Sequence, residues 1–482
     1  LYTHYASIAE GTFSQYARKI RTYERKAFPL ATSALTSNTP VPATDASAQN
    51  AAFWRVALLM AGTVSVLTLA GTFSGEKLQF FYKEQLHLSA SAVASLLILL
   101  AAPTYFRPFI GASSDLFPLF GYHRRSYYAL AVVLGAVGYF SLSLLRHPSY
   151  WTTALLVMVT VAGGVTLMIM ADAVMVSVGN RTGTVPRLQG IQQFLPFALS
   201  FLALARLSGY VTQNWSYAHC FRTAALMALM ALPLTFLIDE KRISHRQNAH
   251  ETPEERIERR NTKARERAES VAAMRQAVQS PGLWAVIAYV FYLTLTPSGA
   301  TAQFYFEVDV LHFSKQFIGN LGQWSSAGVI LGILTVVGIS RRISVRTLVW
   351  GGWAIGTLAY LLNFALRSHL SAEIVFFAGA YFGIMTSLSL FTVAARACPP
   401  KVEGTIYALF MAAIGLAGTL SNKIGGMLYD SYGVPHHSAV HGWYALNWWG
   451  FGLTALAAVL IPLMPAWARS TQPLSAKPEV VR

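Results

Sequence analysis

QFFYKEQLHLS, at residues 79–89, returns as QFYFEVDVLHFS at residues 303–314. One gap aligns the two copies. Each follows an apolar stretch, at the outer end of the first span of its half, so the chain reads as a duplicated unit of six spans plus six. Working outward, stretches of about 20 mostly apolar residues, the length that crosses a hydrocarbon core of about 30 Å as a helix, recur along the whole middle of the chain. They fall at 56–80, 90–111, 127–146, 150–176, 189–211 and 218–238, then at 282–303, 318–340, 346–366, 372–395, 404–428 and 442–466. The expected fold class is therefore an all-α polytopic membrane protein with about twelve transmembrane helices in two six-helix bundles.

Composition agrees. Of 482 residues, 54% are hydrophobic and 12% charged, with a mean hydropathy of +0.43. Such a chain takes the bilayer as its solvent and is too apolar for a water-soluble globule. A net charge of +16 would invite a nucleic-acid reading in a soluble protein. Here the positive charge sits in alternate loops, at Arg124 and Arg125, Arg181 and Arg187, Arg341, Arg342 and Arg346, and Arg396 with Lys401. That pattern places those loops and both termini in the cytoplasm, with the cell (inner) membrane as the expected location, and it removes the need for a nucleic-acid partner. Cys220 and Cys398 fall on opposite faces in this topology, which excludes a disulfide between them. No metal-ligand spacing is present, and His436, His437 and His441 read as loop residues. No GxxxxGK[ST] loop or catalytic triad spacing appears, so neither a direct ATP engine nor an enzyme is expected, and no cofactor is implied.

The domain plan follows. Residues 1–50, rich in Ser, Thr, Ala and Pro and without a secretory signal, read as a disordered cytoplasmic tail. Residues 51–238 form the first bundle, 239–280 a charged cytoplasmic linker, 281–467 the second bundle and 468–482 a second tail. The linker run PEERIERRNTKARERAESVAAMRQAV, residues 253–278, has mixed charges at helical spacing that suit a solvated or membrane-surface helix.

The connection after the second span, RPFIGASSDLFPLFGYHRRSY at residues 107–127, holds Gly111, Asp115, Gly121, Arg124 and Arg125. Glycines allow a sharp turn, and a carboxylate with arginines can pair at helix ends and latch a cytoplasmic gate. It resembles the loop signature of the major facilitator superfamily. Together with YKEQLHLS (82–89), LHFSKQFIGNLGQWSS (311–326) and AARACPPKVEGTIYALFMA (394–412), it makes residues 50–470 similar to the folate-biopterin transporter family of that superfamily. The resemblance implies a secondary active transporter of a folate, biopterin or related heterocyclic solute, working by alternating access, with a proton as candidate co-substrate. The rival class is a non-transporting facilitator-like assembly factor for a membrane or pigment complex.

Ionisable residues inside spans are costly, at least about 2.5–3.5 kcal/mol at the bilayer centre, and mark function or pairing. The set is Glu76 and Lys77, Arg107, Asp172, Arg206 and Arg396. Arg107 and Arg206 are the candidates for gripping an anionic solute group, because a guanidinium fork binds carboxylates in bidentate fashion. Asp172 could accept hydrogen bonds from the amino and ring N–H edge of a pterin, or carry a proton. Family members commonly place a second acid about a turn later, where this chain has Val176. Glu76 is the candidate to supply the titrating group instead. Neighbours on one helix, Glu76 and Lys77 point about 100° apart and serve different partners. Arg396 closes the tenth span, as a gate or a solute contact. Phe80, Phe81, Tyr82, Phe304, Tyr305 and Phe306 read as an aromatic belt at the interface, or less readily as a stacking platform for the solute. Gly163, Gly164, Gly328 and Gly332 read as close helix contacts.

Overall fold

A computed structural model describes residues 43–117, 119–122, 124–182, 185–239, 272, 274–339, 343–398, 403–433, 438–469 and 471. Most of the N-terminal tail, the linker and the C-terminal tail, with His436 and His437, lie outside the described residues. Among the described residues, eleven helices are long and apolar enough to cross a bilayer. In chain order, and with one further crossing at the eleventh position, the spans are α1 (Phe53–Glu84), α2 (Ala90–Gly111), α3 (Arg125–Ser143), α4 (Tyr150–Met175), α5 (Phe194–Asn214), α6 (Tyr217–Leu237), α7 (Pro281–Asp309), α8 (Lys315–Val336), α9 (Val345–Ala365), α10 (His369–Arg396), α11 (Glu403–Gly433) and α12 (Ala439–Leu463). The helix that contains α1 begins at Ala43, inside the stretch read from sequence as tail. Residues 403–433 form 31 residues of helix, enough to reach about 46 Å at 1.5 Å per residue.

α7 is broken: its first helix stops at Leu295 and the second starts at Ala300, with Thr296 to Gly299 between them. A break inside the bilayer leaves backbone groups that must be satisfied within the protein. The polar stretch of α11 does this. Ser421 Oγ donates to the Thr296 carbonyl at 2.5 Å, Ser298 N–H donates to the Ser421 carbonyl at 3.2 Å, and Thr301 N–H donates to Asn422 Oδ1 at 3.1 Å. Tyr360 of α9 donates to the Pro297 carbonyl at 2.6 Å. The polarity of α11 therefore repairs its neighbour.

Other spans bend where the sequence dictates. α2 runs as three short helices, Ala90–Leu100, Ala102–Tyr105 and Arg107–Leu116, each of the last two with a proline in its first turn. α5 carries a π-helical turn, Ser200–Leu204, just after the proline inside the preceding helix Val185–Leu199. Ser89, Ser216, Ser344 and Ser368 cap α2, α6, α9 and α10 through their hydroxyls, which fixes where those spans begin.

The repeat has a backbone signature. His87 and His312 are both left-handed, at φ 50° and 51°. In the first copy the amides of Gln85 and Leu86 bond to the Phe81 carbonyl and Leu88 to Tyr82; in the second, Val310 and Leu311 bond to Phe306 and Phe313 to Glu307. This register pairs Glu84 with Asp309 and Phe80 with Tyr305, so the gap in the alignment lies upstream of Phe306. Among the glycines, Gly163 faces Gly135 and Ala131 of α3, while Gly328 and Gly332 face Phe377, Tyr381 and Ile384 of α10. Gly164 meets only a Leu67 methyl at ordinary contact distance.

Candidate functional site

Two groups of residues define the working parts, one at the end of the molecule where α1 meets α2 and α7 meets α8, and one nearer the opposite, arginine-rich end. The first joins the halves. Lys83 pairs with Asp309, and Lys315 pairs with Glu84 at 2.5 Å. The other Glu84 oxygen accepts from the Tyr217 hydroxyl at 2.5 Å. Each lysine also rests on an aromatic ring of the other half: Lys83 lies 4.1 Å from the Tyr305 centroid and Lys315 4.7 Å from that of Phe80. Phe80 and Tyr305 are equivalent in the repeat, as are Glu84 and Asp309. Each half thus presents an aromatic and an acid from equivalent positions to a lysine of its counterpart.

Beneath the ion pairs the seal is apolar. Phe80, Phe81, Tyr82, Phe304, Tyr305 and Phe306 are buried in one cluster that spans both halves. Phe80 and Phe304 meet edge to face at 4.8 Å, and Phe306 stacks on Trp443 at 4.9 Å. The expectation of an aromatic belt is corrected here: belt residues face lipid, whereas these six are buried, with Phe80, Phe304 and Tyr305 in contact across the halves and Phe81 and Phe306 packed within their own. Beside them, Asp430 of α11 accepts from the Ser91 N–H at 2.9 Å, at the N-terminus of α2, and Lys423 donates to the Ser91 carbonyl at 3.0 Å. α5 and α8 cross at Gly209 and Gly319; a methyl on either would strike the other helix's backbone.

The candidate residues are distributed as follows. Lys77 Nζ donates to the carbonyls of Thr212 and Trp215 at 2.8 and 2.6 Å, capping the end of α5 with a cation. Glu76 points elsewhere, toward the α5–α8 crossing. Its Oε2 is buried without a hydrogen-bond partner, and a methyl on Gly319 would lie 2.7 Å from it. Arg206 Nε donates to Gln323 of α8 at 2.7 Å, another bond between the halves. Tyr105 of α2 and Thr419 of α11 share one at 2.9 Å.

Arg107 and Asp172 form the second group. Arg107 is exposed, at the start of the last short helix of α2, within electrostatic range of the half-buried Asp172 of α4. Asp172 Oδ1 accepts from Gln192 Nε2 at 2.9 Å. Arg107 also borders a cavity of about 310 Å³ walled by Val66, Leu67, Tyr139, Gly164 and Met168, within the usual size range for a small-ligand pocket. Gln192, which lies in the helix leading into α5, was not legible as a partner because its proximity depends on how that helix packs on α4. Arg206 and Lys77 are spent on other contacts.

In the loop after α2, Gly121 does turn the chain, at φ 81° next to Phe120 at 52°, whereas Gly111 stays within the helix Arg107–Leu116. Asp115 lies in the last turn of that helix, but its side chain lies outside the description. Arg124 Nη1 donates to the Ala173 carbonyl at 3.1 Å, next to Asp172, and the Arg125 guanidinium sits 5.1 Å from the Phe236 ring. Arg396 occupies the last turn of α10. Among the described residues no group of three His, Cys, Asp or Glu could hold a metal; Cys220 is a buried free thiol, and Cys398 Sγ donates to the Ala394 carbonyl at 3.2 Å.

Twelve crossings in two six-helix bundles that meet along a seam are the major facilitator fold, and solved structures share it. The chain resembles a nucleoside transporter (NupG), with a TM-score of 0.61 over 84% of this chain and 98% of that one at 13% identity. It also resembles a D-xylose–proton symporter, with a TM-score of 0.57 over 88% and 99% at 16% identity. The class is therefore an integral membrane protein of the major facilitator fold. The profile of the BT1 family matches residues 69–467, and the chain belongs to that family. Among curated proteins it is 27% identical over 404 residues to a folate-biopterin transporter of Synechocystis sp., covering 80% of this chain and 76% of that protein. It is 20% identical over 367 residues to folate transporter 1 of Plasmodium falciparum, covering 74% and 69%.

Proposed function

We propose that this protein carries a folate, a biopterin or a closely related pteridine across the bilayer by alternating access, with a proton as co-substrate. The reading rests on the group formed by Arg107, Asp172 and Gln192. Such a solute offers an amino-pyrimidine edge of hydrogen-bond donors and, in folates, carboxylates. Asp172 supplies acceptors for the first and Arg107 a bidentate partner for the second. The names of the relatives in the BT1 family support the same solute class.

Positive loop charge favours a cytoplasmic location for the arginine-rich end and both termini. The sealed end then faces out, and this conformation is the one from which solute would leave toward the cytoplasm. Transport consists of parting the seam between α1–α2–α5 and α7–α8–α11 at the sealed end while the halves close at the other. The cell (inner) membrane is the proposed location.

The test is uptake of radiolabelled folate and biopterin by proteoliposomes holding the purified protein, with and without an inward proton gradient. Gradient-stimulated accumulation of either is expected. Failure of both to enter or to exchange refutes the solute class.

A further inference from the structure

Another cavity, of about 400 Å³, lies at the arginine-rich end of the second half, where α9 begins and α12 ends. Arg346, Trp350, Ile461, Pro462, Ala466 and Arg469 wall it. The main packing partners of α9 and α12 belong to their own half, α9 on α10 and α12 and α12 on α11, so the cavity stands apart from the seam.

Its shape follows from how α12 stops. Pro462 sits in a 3-10 turn, Ala457–Leu463, after which Met464 is extended at ψ 155° and a four-residue helix, Ala466–Arg469, carries the chain against α9. Met464 and Ala468 are buried in one cluster with Val345 and Val349 of α9, which holds that short helix in place. Arg346 and Trp350 lie one turn apart on α9 and share a face. Trp353 Nε1, also on α9, donates to the Thr454 carbonyl at 3.0 Å and ties α9 to α12.

Both arginines are exposed, and neither guanidinium has a hydrogen bond or ion pair with another described residue. No acid is among the wall residues. Guanidinium forks bind phosphate oxygens in bidentate fashion, and a tryptophan at the end of a span belongs to the headgroup layer of a bilayer. Beside the cavity the surface turns apolar: Leu463, next to Pro462, is exposed, as are Val459 and Leu456 at spacings of four and three residues along α12. A ligand that suits both parts has a phosphate at one end and hydrocarbon at the other.

We propose that this cavity binds the headgroup of an anionic phospholipid, with Arg346 and Arg469 as the phosphate clamp, Trp350 beside the glycerol region, and the acyl chains along Leu463, Val459 and Leu456. The lipid is anionic because no wall residue offers a carboxylate to the ammonium of a zwitterionic headgroup, whereas two cations favour net negative charge. The clamp fixes the second half to its leaflet. In the orientation proposed above that leaflet is the cytoplasmic one, the side on which anionic lipids attract basic residues. The site needs nothing from the solute or from alternating access.

The test is a titration of the full-length protein in neutral detergent with phosphatidylglycerol brominated on its acyl chains, which quenches nearby tryptophan, and with phosphatidylcholine brominated alike. A saturable step with the first lipid that the second lacks is expected. Arg346→Gln and Arg469→Gln, checked for unchanged monodispersity and thermal unfolding, should each weaken that step about fivefold, and together more than tenfold, the factors for one and two basic residues facing an anionic surface. Trp350→Phe should shrink its amplitude, since that ring is a reporter on the cavity wall. Equal quenching by both lipids overturns the proposal, as does a parent-like titration by the double arginine variant or an unchanged amplitude in Trp350→Phe. Displacement of the step by inorganic phosphate at the lipid's own concentration would assign the clamp to a free anion and overturn the lipid. Failed uptake of folate and biopterin would overturn the solute class and leave each of these outcomes as it stands.

Discussion

The sealed end and the Arg107–Asp172 group use the same residue types in opposite ways. At the sealed end, lysines, acids and aromatics bond across the two halves: Lys83 with Asp309, Lys315 with Glu84, Phe80 against Phe304. Around Asp172, the arginine, the carboxylate and the Gln192 amide all belong to the first half. Under the proposed alternating access, bonds of the first kind break in every transport cycle; they are individually modest, since partly exposed ion pairs contribute about 0.2–1 kcal/mol. Bonds of the second kind can ride through the cycle as a body and stay arranged for a ligand.

This difference ranks the effects of substitution. The largest belongs to the ligand group. Arg107→Gln and Asp172→Asn each remove a charged hydrogen-bonding partner, worth about 1.5–3 kcal/mol, so solute binding by calorimetry should weaken roughly 10- to 100-fold with thermal stability unchanged. Normal affinity in both would detach this group from the solute. Next is Gly319→Ala, whose methyl meets the Gly209 backbone and the Glu76 carboxyl. Overpacking of about 1–3 kcal/mol should fall on the closed seam alone. In a Cys220→Ala, Cys398→Ala background, a cysteine at Ser91 should then label several-fold faster.

Lys83→Ala and Glu84→Gln should raise Ser91→Cys labelling less, by a factor corresponding to about 0.5–1.5 kcal/mol for a lost ion pair with its ring contact. The smallest effect is expected at Arg55, which pairs at 2.9 Å with Asp239 inside the first half and in an exposed setting. Arg55→Ala should leave labelling unchanged. If it opens the sealed end as Lys83→Ala does, the distinction between bonds across the seam and bonds within a half fails.

Much of the fold was legible because a bilayer demands runs of about 20 apolar residues. All twelve expected spans have a counterpart, and the repeated His87 and His312 mark the same backbone turn. The role of Ser421 and Asn422 in α11 was opaque, because its reason, the break at Thr296 to Gly299, lies in a different helix. Glu307 was missed for a related cause. Sequence ended the seventh span at residue 303, but the helix continues to Asp309, so an acid that looked peripheral is buried. The 100° separation of Glu76 and Lys77 did anticipate their divergence, one toward the α5–α8 crossing and one onto the α5 terminus. What a single sequence does not encode locally is which half each side chain faces, and that decides the seal.

The most direct measurement joins the two halves at the seal. Cysteines replacing Lys83 and Asp309, in the Cys220→Ala, Cys398→Ala background, are bridged by a short bifunctional thiol reagent that a reductant can cleave, and solute uptake is followed before bridging, after bridging and after reduction. Alternating access predicts that bridging stops uptake and reduction restores it. Undiminished uptake through the bridged protein would contradict a cycle in which this end must open.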